Sequence, residues 1–400
     1  MTFLRDSSRL MQLACALPLL CALAACGSGG GEGGGGGTPP VAASSAKAIT
    51  AYSINGATGT INEPAKTIAV TTPSGTNVTA LVAVFTTTGT SVKVGATVQT
   101  SGTTANDFTN SVAYTVTAAD GSTENYTVTV TSPFLLTGTN FPSKILRFND
   151  TTGAFIDDFV SAGSGGLNQP LGLAIGPDKN LYVSSRLTGN VLRYDGKTGA
   201  FIDVFVPVGT GGLNLPHGLI FRPDGNLYVV NNTGNNVLRF NGTTGVFIDT
   251  FASGGLSFPT ALRFGPDGNL YVSSSFNNRV LRYNGNTGAF IDIFASGGGL
   301  SNAEGLAFGP DGHLYVASYN TNNVLRFNGN TGAFIDIFAF GSGLINPGFL
   351  VFGPDGNLYV SGSSSNNVVR YNGITGVFID EFIPAGSGGL TGHHALLFTN

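Results

Sequence analysis

Two histidines and one glutamate hold the same place in a repeated segment of this chain. The segments are NQPLGLAI, NLPHGLIF, SFPTALRF, SNAEGLAF, INPGFLVF and TGHHALLF. They align Leu171, His217, Thr260, Glu304, Gly348 and His394, so alternate copies supply His, Glu and His. The chain has four histidines, and two fall at this one position; only five of its 22 acidic residues are Glu. Two imidazoles and a carboxylate that converge can hold a divalent metal or run acid–base chemistry. Zn²⁺ or Fe²⁺ suits that donor set better than Ca²⁺, which prefers oxygen alone. No Gly-x-Ser-x-Gly elbow, phosphate-binding loop or His-Glu-x-x-His helix competes with it.

The elements that must position these residues are read from the repeat. Its second half, VLRFNGNTGAFIDIF, begins at Ile145, Val191, Val237, Val280, Val324 and Val368, at intervals of 46, 46, 43, 44 and 44 residues. That is the length of one four-stranded propeller blade. Each unit carries four strand signals: GLAFGPDG, NLYV, VLRY and FIDIF, with a Pro-Asp-Gly turn after the first. The last copy of the first strand, HALLF, ends the chain, and its second strand, FLLTG, precedes the first repeat. Strands from the two termini therefore complete one blade and close a ring, which removes open sheet edges. In such a ring the first strands line the central channel, and Leu171 to His394 form one circle near its mouth.

Charge recurs too. Arg147, Arg193, Arg239, Arg282, Arg326 and Arg370 repeat in the third strand; Asp157, Asp203, Asp249, Asp292, Asp336 and Asp380 repeat in the fourth. A feature present in every blade suits a cross-strand ion pair that protects the outer edge. A ligand rim or repeated metal sites is the other reading.

The motifs GPDGNLYV and Pro-His-Gly-Leu over residues 133–400 resemble the NHL-repeat six-bladed propellers. More loosely they resemble the gluconolactonase and senescence-marker lactonases and the streptogramin lyases. In those lactonases the aligned ring holds metal ligands, one of them a Glu before Gly as in Glu304-Gly305. The resemblance thus implies a metal at His217, Glu304 and His394, although His stands here where that family carries Asn or Asp.

Residues 46–132 predict a small β-sandwich. SVAYTVTAADGSTENYTVTVT alternates apolar and polar residues about Asp120-Gly121, with Val112, Tyr114 and Val116 on one face and Tyr126, Val128 and Val130 on the next. The segment resembles the cadherin-like, immunoglobulin-like sandwiches of bacterial surface proteins, which implies a spacer or adhesive role. Residues 1–25 combine Arg5 and Arg9 with the apolar run LACALPLLCALAA, an export signal too short to remain as a spanning helix. Leu23-Ala24-Ala25-Cys26 resembles a bacterial lipobox, which implies cleavage before Cys26 and lipidation there. Gly27 after it, by the same resemblance, favours outer-membrane sorting. Residues 26–45 are a glycine-rich tether.

Only 10% of residues are charged and the net charge is −4, so no basic surface favours nucleic acid. The expectation is an all-β chain: a six-bladed propeller preceded by a small sandwich, exported and lipid-anchored at the cell surface. Its first functional reading is a scaffold for a protein, small-molecule or carbohydrate ligand. The alternative is a metal-dependent hydrolase, lactonase or lyase working at His217, Glu304 and His394.

Overall fold

The computed structural model describes residues 41–392 and 395–399. The expected export signal, Cys26, most of the expected tether and His394 lie outside the described residues. The described chain is all-β, with no α-helix and a few single-turn 3₁₀ segments.

The sandwich pairs a four-stranded and a six-stranded sheet. The strands Val112–Thr117 and Thr123–Thr131 form the hairpin expected from the alternation. Val112, Tyr114, Val116, Tyr126, Val128 and Val130 are all buried in its core. Thr123–Thr131 also pairs in parallel with Thr67–Thr71, which locks the hairpin into the larger sheet.

Six four-stranded sheets follow. Blade one takes its innermost strand, Leu396–Phe398, from the C-terminus and continues with Leu135–Asn140, Ser143–Phe148 and Phe155–Val160. Blades two to six begin with the innermost strands Pro170–Ile175, Pro216–Phe221, Pro259–Phe264, Ala303–Phe308 and Pro347–Phe352. Each innermost strand packs on the next, and the sixth meets the first, so the ring is closed. The second strands are buried along all or nearly all of their length, as Leu270–Ser274 is throughout, because neighbouring blades cover both faces.

The six Arg and Asp residues sit directly opposite one another in the register of the third and fourth strands. Each pair is two-pronged; in blade four Arg282 Nε reaches Asp292 Oδ1 at 3.1 Å and Nη2 reaches Oδ2 at 2.5 Å. The guanidinium also lies 4.9 Å from the Phe294 ring centre. These side chains are partly exposed, so each pair contributes only about 0.2–1 kcal/mol.

The Asn-Gly step after the third strand is not the tight two-residue turn that the dipeptide suggests. The left-handed residue is Gly288, φ 71°, and Asn284 Oδ1 accepts from the amides of Asn286 and Thr287. Gly285 is glycine for another reason: a Cβ there would lie 1.7 Å from the Gly268 carbonyl oxygen in the Pro-Asp-Gly turn. Antiparallel pairing puts these two turns at one end of each sheet, the turn end. The other connections share the opposite, loop end.

Candidate ligand-binding loop end

The innermost strands of blades two to six each start with a register irregularity. Pro216 faces Asn231 but Leu219 faces Val229, so His217 and Gly218 share the space opposite Val230. A bulge of this kind re-aims a side chain and leaves an amide without its ladder partner. In blades two, four and six a serine hydroxyl takes that amide: Ser184 from Gly172 at 2.6 Å, Ser273 from Ala261 at 2.8 Å, Ser361 from Phe349 at 2.9 Å. The equivalent residues of blades one, three and five are Gly138, Val230 and Ala317, which have no hydroxyl.

The ring therefore alternates twice. Blades with a serine carry Leu171, Thr260 and Gly348; blades without one carry His394, His217 and Glu304. The two kinds are joined across the blade boundary. Ser184 Oγ donates to His217 O at 2.5 Å, and Thr260 Oγ1 lies 3.1 Å from Ala303 O and 3.4 Å from Glu304 O. Hydroxyls of one kind of blade thus hold the backbone of the His and Glu in the next.

His217 and Glu304 are both buried, at 5% and 6% exposure, so neither is a solvated rim residue. The imidazole stacks on Phe349, with ring centres 5.7 Å apart and planes at 23°. Phe349 belongs to the blade directly across the ring from His217, so the two rings meet over the channel. Among the described residues no three His, Cys, Asp or Glu side chains form a metal-binding group. His217 and Glu304 stand at equivalent places on blades three and five, and the third member of the expected set, His394, lies outside the described residues. Arg263 is a further departure, where other innermost strands carry Ala, Ile, Val or Leu. Its Nη1 donates to Leu262 O at 2.9 Å, and desolvation lowers its pKa. Its signal in the sequence was a single charged residue in an otherwise apolar strand position.

The rim is built from backbone in the left-handed region. Gln169, Leu215, Phe258, Asn302 and Asn346 precede the innermost strands at φ 54°, 48°, 55°, 60° and 52°, and Gly392 follows suit at 78°. Asn and Gly tolerate this conformation; bulky Leu and Phe adopt it at a cost of about 1–3 kcal/mol. The amides of Phe258, Asn302, Asn346 and Gly392 donate to Asn235, Asn278, Asn322 and Asn366 of the preceding blade at 2.6–2.8 Å. Phe258 is stacked on Phe276 at 4.3 Å and 5°, and Phe276 is 69% exposed. This pair is an aromatic platform on the loop end of blade four.

Polar atoms without a hydrogen-bonding partner gather at the same end. They are Asn140 Oδ1, Asn232 Oδ1, Asn277 Oδ1, Asn302 Oδ1 and Ser363 Oγ, each shielded from solvent. Asn232 is fully buried and spends its Nδ2 on Pro259 O at 2.7 Å. Four of the five are carbonyl acceptors, so they favour a ligand that donates hydrogen bonds.

Comparison with known proteins agrees with the architecture. A family model described as SGBP, N-terminal, matches residues 49–130. No curated protein matches the chain. Among solved structures, a chain of a nidogen/laminin complex is 18% identical with a TM-score of 0.54 over 66% of this chain and 98% of that one. A catalytically inactive virginiamycin B lyase from Staphylococcus aureus with quinupristin is 16% identical, TM-score 0.46, over 68% and 85% of the two chains. A streptogramin B lyase is 16% identical, TM-score 0.43, over 61% and 80%. At 18% identity the likeness to the nidogen/laminin-complex chain is one of fold alone. The class is a β-propeller with a small N-terminal sandwich.

Proposed function

We propose that this chain is an exported, lipid-anchored binding protein whose propeller holds a hydroxyl-rich ligand, a neutral carbohydrate, over its loop end. One observation carries the reading: the repeat is nearly invariant at the turn end and departs from itself at the loop end. Leu215, His217, Phe258, Phe276, Glu304 and Tyr319 all break the pattern there. Carbonyl acceptors suit sugar hydroxyls, and an exposed aromatic face suits the apolar face of a sugar ring. The match of the sandwich to the N-terminal SGBP model, a name of the glycan-binding kind, supports the same class.

The test is binding of neutral oligosaccharides by the Cys26→Ser chain in solution. We expect saturable binding that weakens about tenfold in Phe276→Ala, equivalent to about 1.4 kcal/mol. Absence of millimolar or tighter binding across α- and β-linked glucans, galactans, mannans and xylans refutes the carbohydrate class. Anchoring is tested separately: Cys26→Ser should leave the membrane fraction, since the lipid would be its attachment.

A second reading, a metal-dependent hydrolase, lactonase or lyase, is favoured by the burial of His217 and Glu304 at equivalent places in the ring. It needs His394 as a third donor to Zn²⁺ or Fe²⁺. Titration of Zn²⁺ into wild type and Glu304→Gln decides it. Tight binding by wild type alone supports the metal reading, and equally negligible binding by both ends it.

A further inference from the structure

Blade one lacks something the other blades have. In blades two to six a turn joins the first and second strands: Pro177-Asp178-Lys179, Pro223-Asp224-Gly225, Pro266-Asp267-Gly268, Pro310-Asp311-Gly312 and Pro354-Asp355-Gly356. The third residue of each is left-handed. Its carbonyl fills the space beside Gly196, Gly242, Gly285, Gly329 or Gly373, where a Cβ would approach to 1.7–2.0 Å. Blade one has no such turn, because its first strand comes from the C-terminus and its second follows the sandwich.

Its sequence departs to match. Asp150 stands where the other blades need glycine. Leu136 replaces the tyrosine whose hydroxyl bonds the turn aspartate elsewhere, as Tyr271 does Asp267 at 2.9 Å. Phe134 lies 5.3 Å from the Arg147 guanidinium, on a blade that has no turn aspartate.

The sandwich occupies the gap. Asp150 N donates to Ser74 Oγ at 2.9 Å, and Asn149 Nδ2 donates to Ser74 O at 3.3 Å. The equivalent amides of Gly285, Gly329 and Gly373 donate at 3.3 Å to Asn269, His313 and Asn357, the residues just after the Pro-Asp-Gly turns. Ser74 is the centre of Pro73-Ser74-Gly75, with Gly75 at φ 71°. The closure differs: Thr76 N bonds Pro73 O, whereas Gly268 N bonds Gly265 O, so the sandwich turn is a substitute and not a copy. Gly75 also lies against Ile156, where a Cβ would sit 2.6 Å from its Cδ1. Ile156 is half-buried, while its equivalents Ile202, Ile248, Ile291, Ile335 and Ile379 are 39–43% exposed. A second tie departs from the repeat as well. Lys197 of blade two, at a position held elsewhere by Thr, Asn or Ile, bonds Thr109 O and Asn110 Oδ1 of the sandwich.

We propose that the sandwich is the clamp of the propeller's closure seam: its Pro73-Ser74-Gly75 turn stands in for the turn that blade one lacks, so sandwich docking and ring closure reinforce each other. The surface it fits is the turn end of blade one, rimmed by Asn149, Asp150 and Ile156. This holds whatever the ligand is. A module read from sequence as a spacer becomes a structural part of the ring.

The experiment is hydrogen exchange by mass spectrometry on the full chain, comparing wild type, Ser74→Ala, Lys197→Ala and Gly75→Val. Loss of one hydrogen bond should speed exchange about fivefold in peptides spanning 134–150 and 395–399, with larger acceleration in Gly75→Val. Peptides of the sandwich core, 112–130, should stay protected in the two alanine variants. If Gly75→Val unfolds the sandwich, the alanine variants carry the test. Unchanged exchange at the seam in both overturns the proposal, and so does acceleration spread evenly over all six blades.

Discussion

The two ends of the propeller were built under different constraints. At the turn end, five Pro-Asp turns and six Asn-x-x-Thr-Gly-type turns repeat almost letter for letter, and their glycines are dictated by neighbouring carbonyls. At the loop end the left-handed rim backbone repeats but the side chains do not. Six left-handed rim residues carry Gln, Leu, Phe, Asn, Asn and Gly. Uniformity marks what the blades need from each other, and divergence marks what the molecule displays. Blade one supports this: it breaks the turn-end pattern only where the sandwich replaces a turn.

The sharpest way to break this contrast is to open the ring. Deleting residues 393–400 removes the strand that pairs with Leu135, Leu136 and Thr137 and the Phe398 ring 4.9 Å from Tyr359. Loss of several kcal/mol should lower Tm by roughly 10 °C or more in a thermal melt. An unchanged Tm would mean that closure contributes little.

Next come paired glycine substitutions. Gly285→Ala puts a methyl 1.7 Å from a backbone carbonyl and should cost about 3 kcal/mol or more. Gly297→Ala at the loop end meets nothing within 4 Å and bears only the strain of φ 76°, about 1–2 kcal/mol. Equal costs by chemical denaturation would erase the distinction between the two ends.

Phe276→Ala should reverse the order of effects. Its side chain is largely exposed, so stability should change by less than about 1 kcal/mol while ligand affinity falls. A large loss of stability would make the platform structural.

The smallest effect is acidic. Burial raises the pKa values of Asp178, Asp267 and Asp355, but hydrogen bonds from Asn180, Asn269 and Asn357 and from the turn tyrosines, with the nearby arginines, outweigh it and hold them below the ordinary 3.8. Groups with depressed native pKa values bind protons first in the unfolded chain. Their contribution is complete above 3.8 and is lost as pH falls through the native values. Asp267→Asn should therefore cost that small contribution at neutral pH, where it is complete, and make no difference below the native pKa, so the acid limb of the stability profile flattens slightly.

Much of this was legible in the chain. The 43–46-residue period, the displaced HALLF and FLLTG strands and the opposed Arg and Asp columns are local patterns, and local periodicity is what strands report. His217 and Glu304 stood out because a repeat makes its exceptions visible. Less visible was the serine alternation at Ser184, Ser273 and Ser361, present in LYVSS, LYVVN and LYVAS but meaningful only once the bulged amides were seen.

What the sequence determined by itself was the unit, the number of units and where the ring must close, because each depends on short-range hydrogen bonding and alternation. Only the tertiary structure decided what meets across the ring and at its seam. His217 stacks on Phe349, 132 positions away, and Ser74 reaches Asp150, 76 positions away. No pattern along the chain encodes such pairs. They arise because closing six blades brings opposite strands to one axis, and because a missing turn leaves a gap that the preceding module is placed to fill.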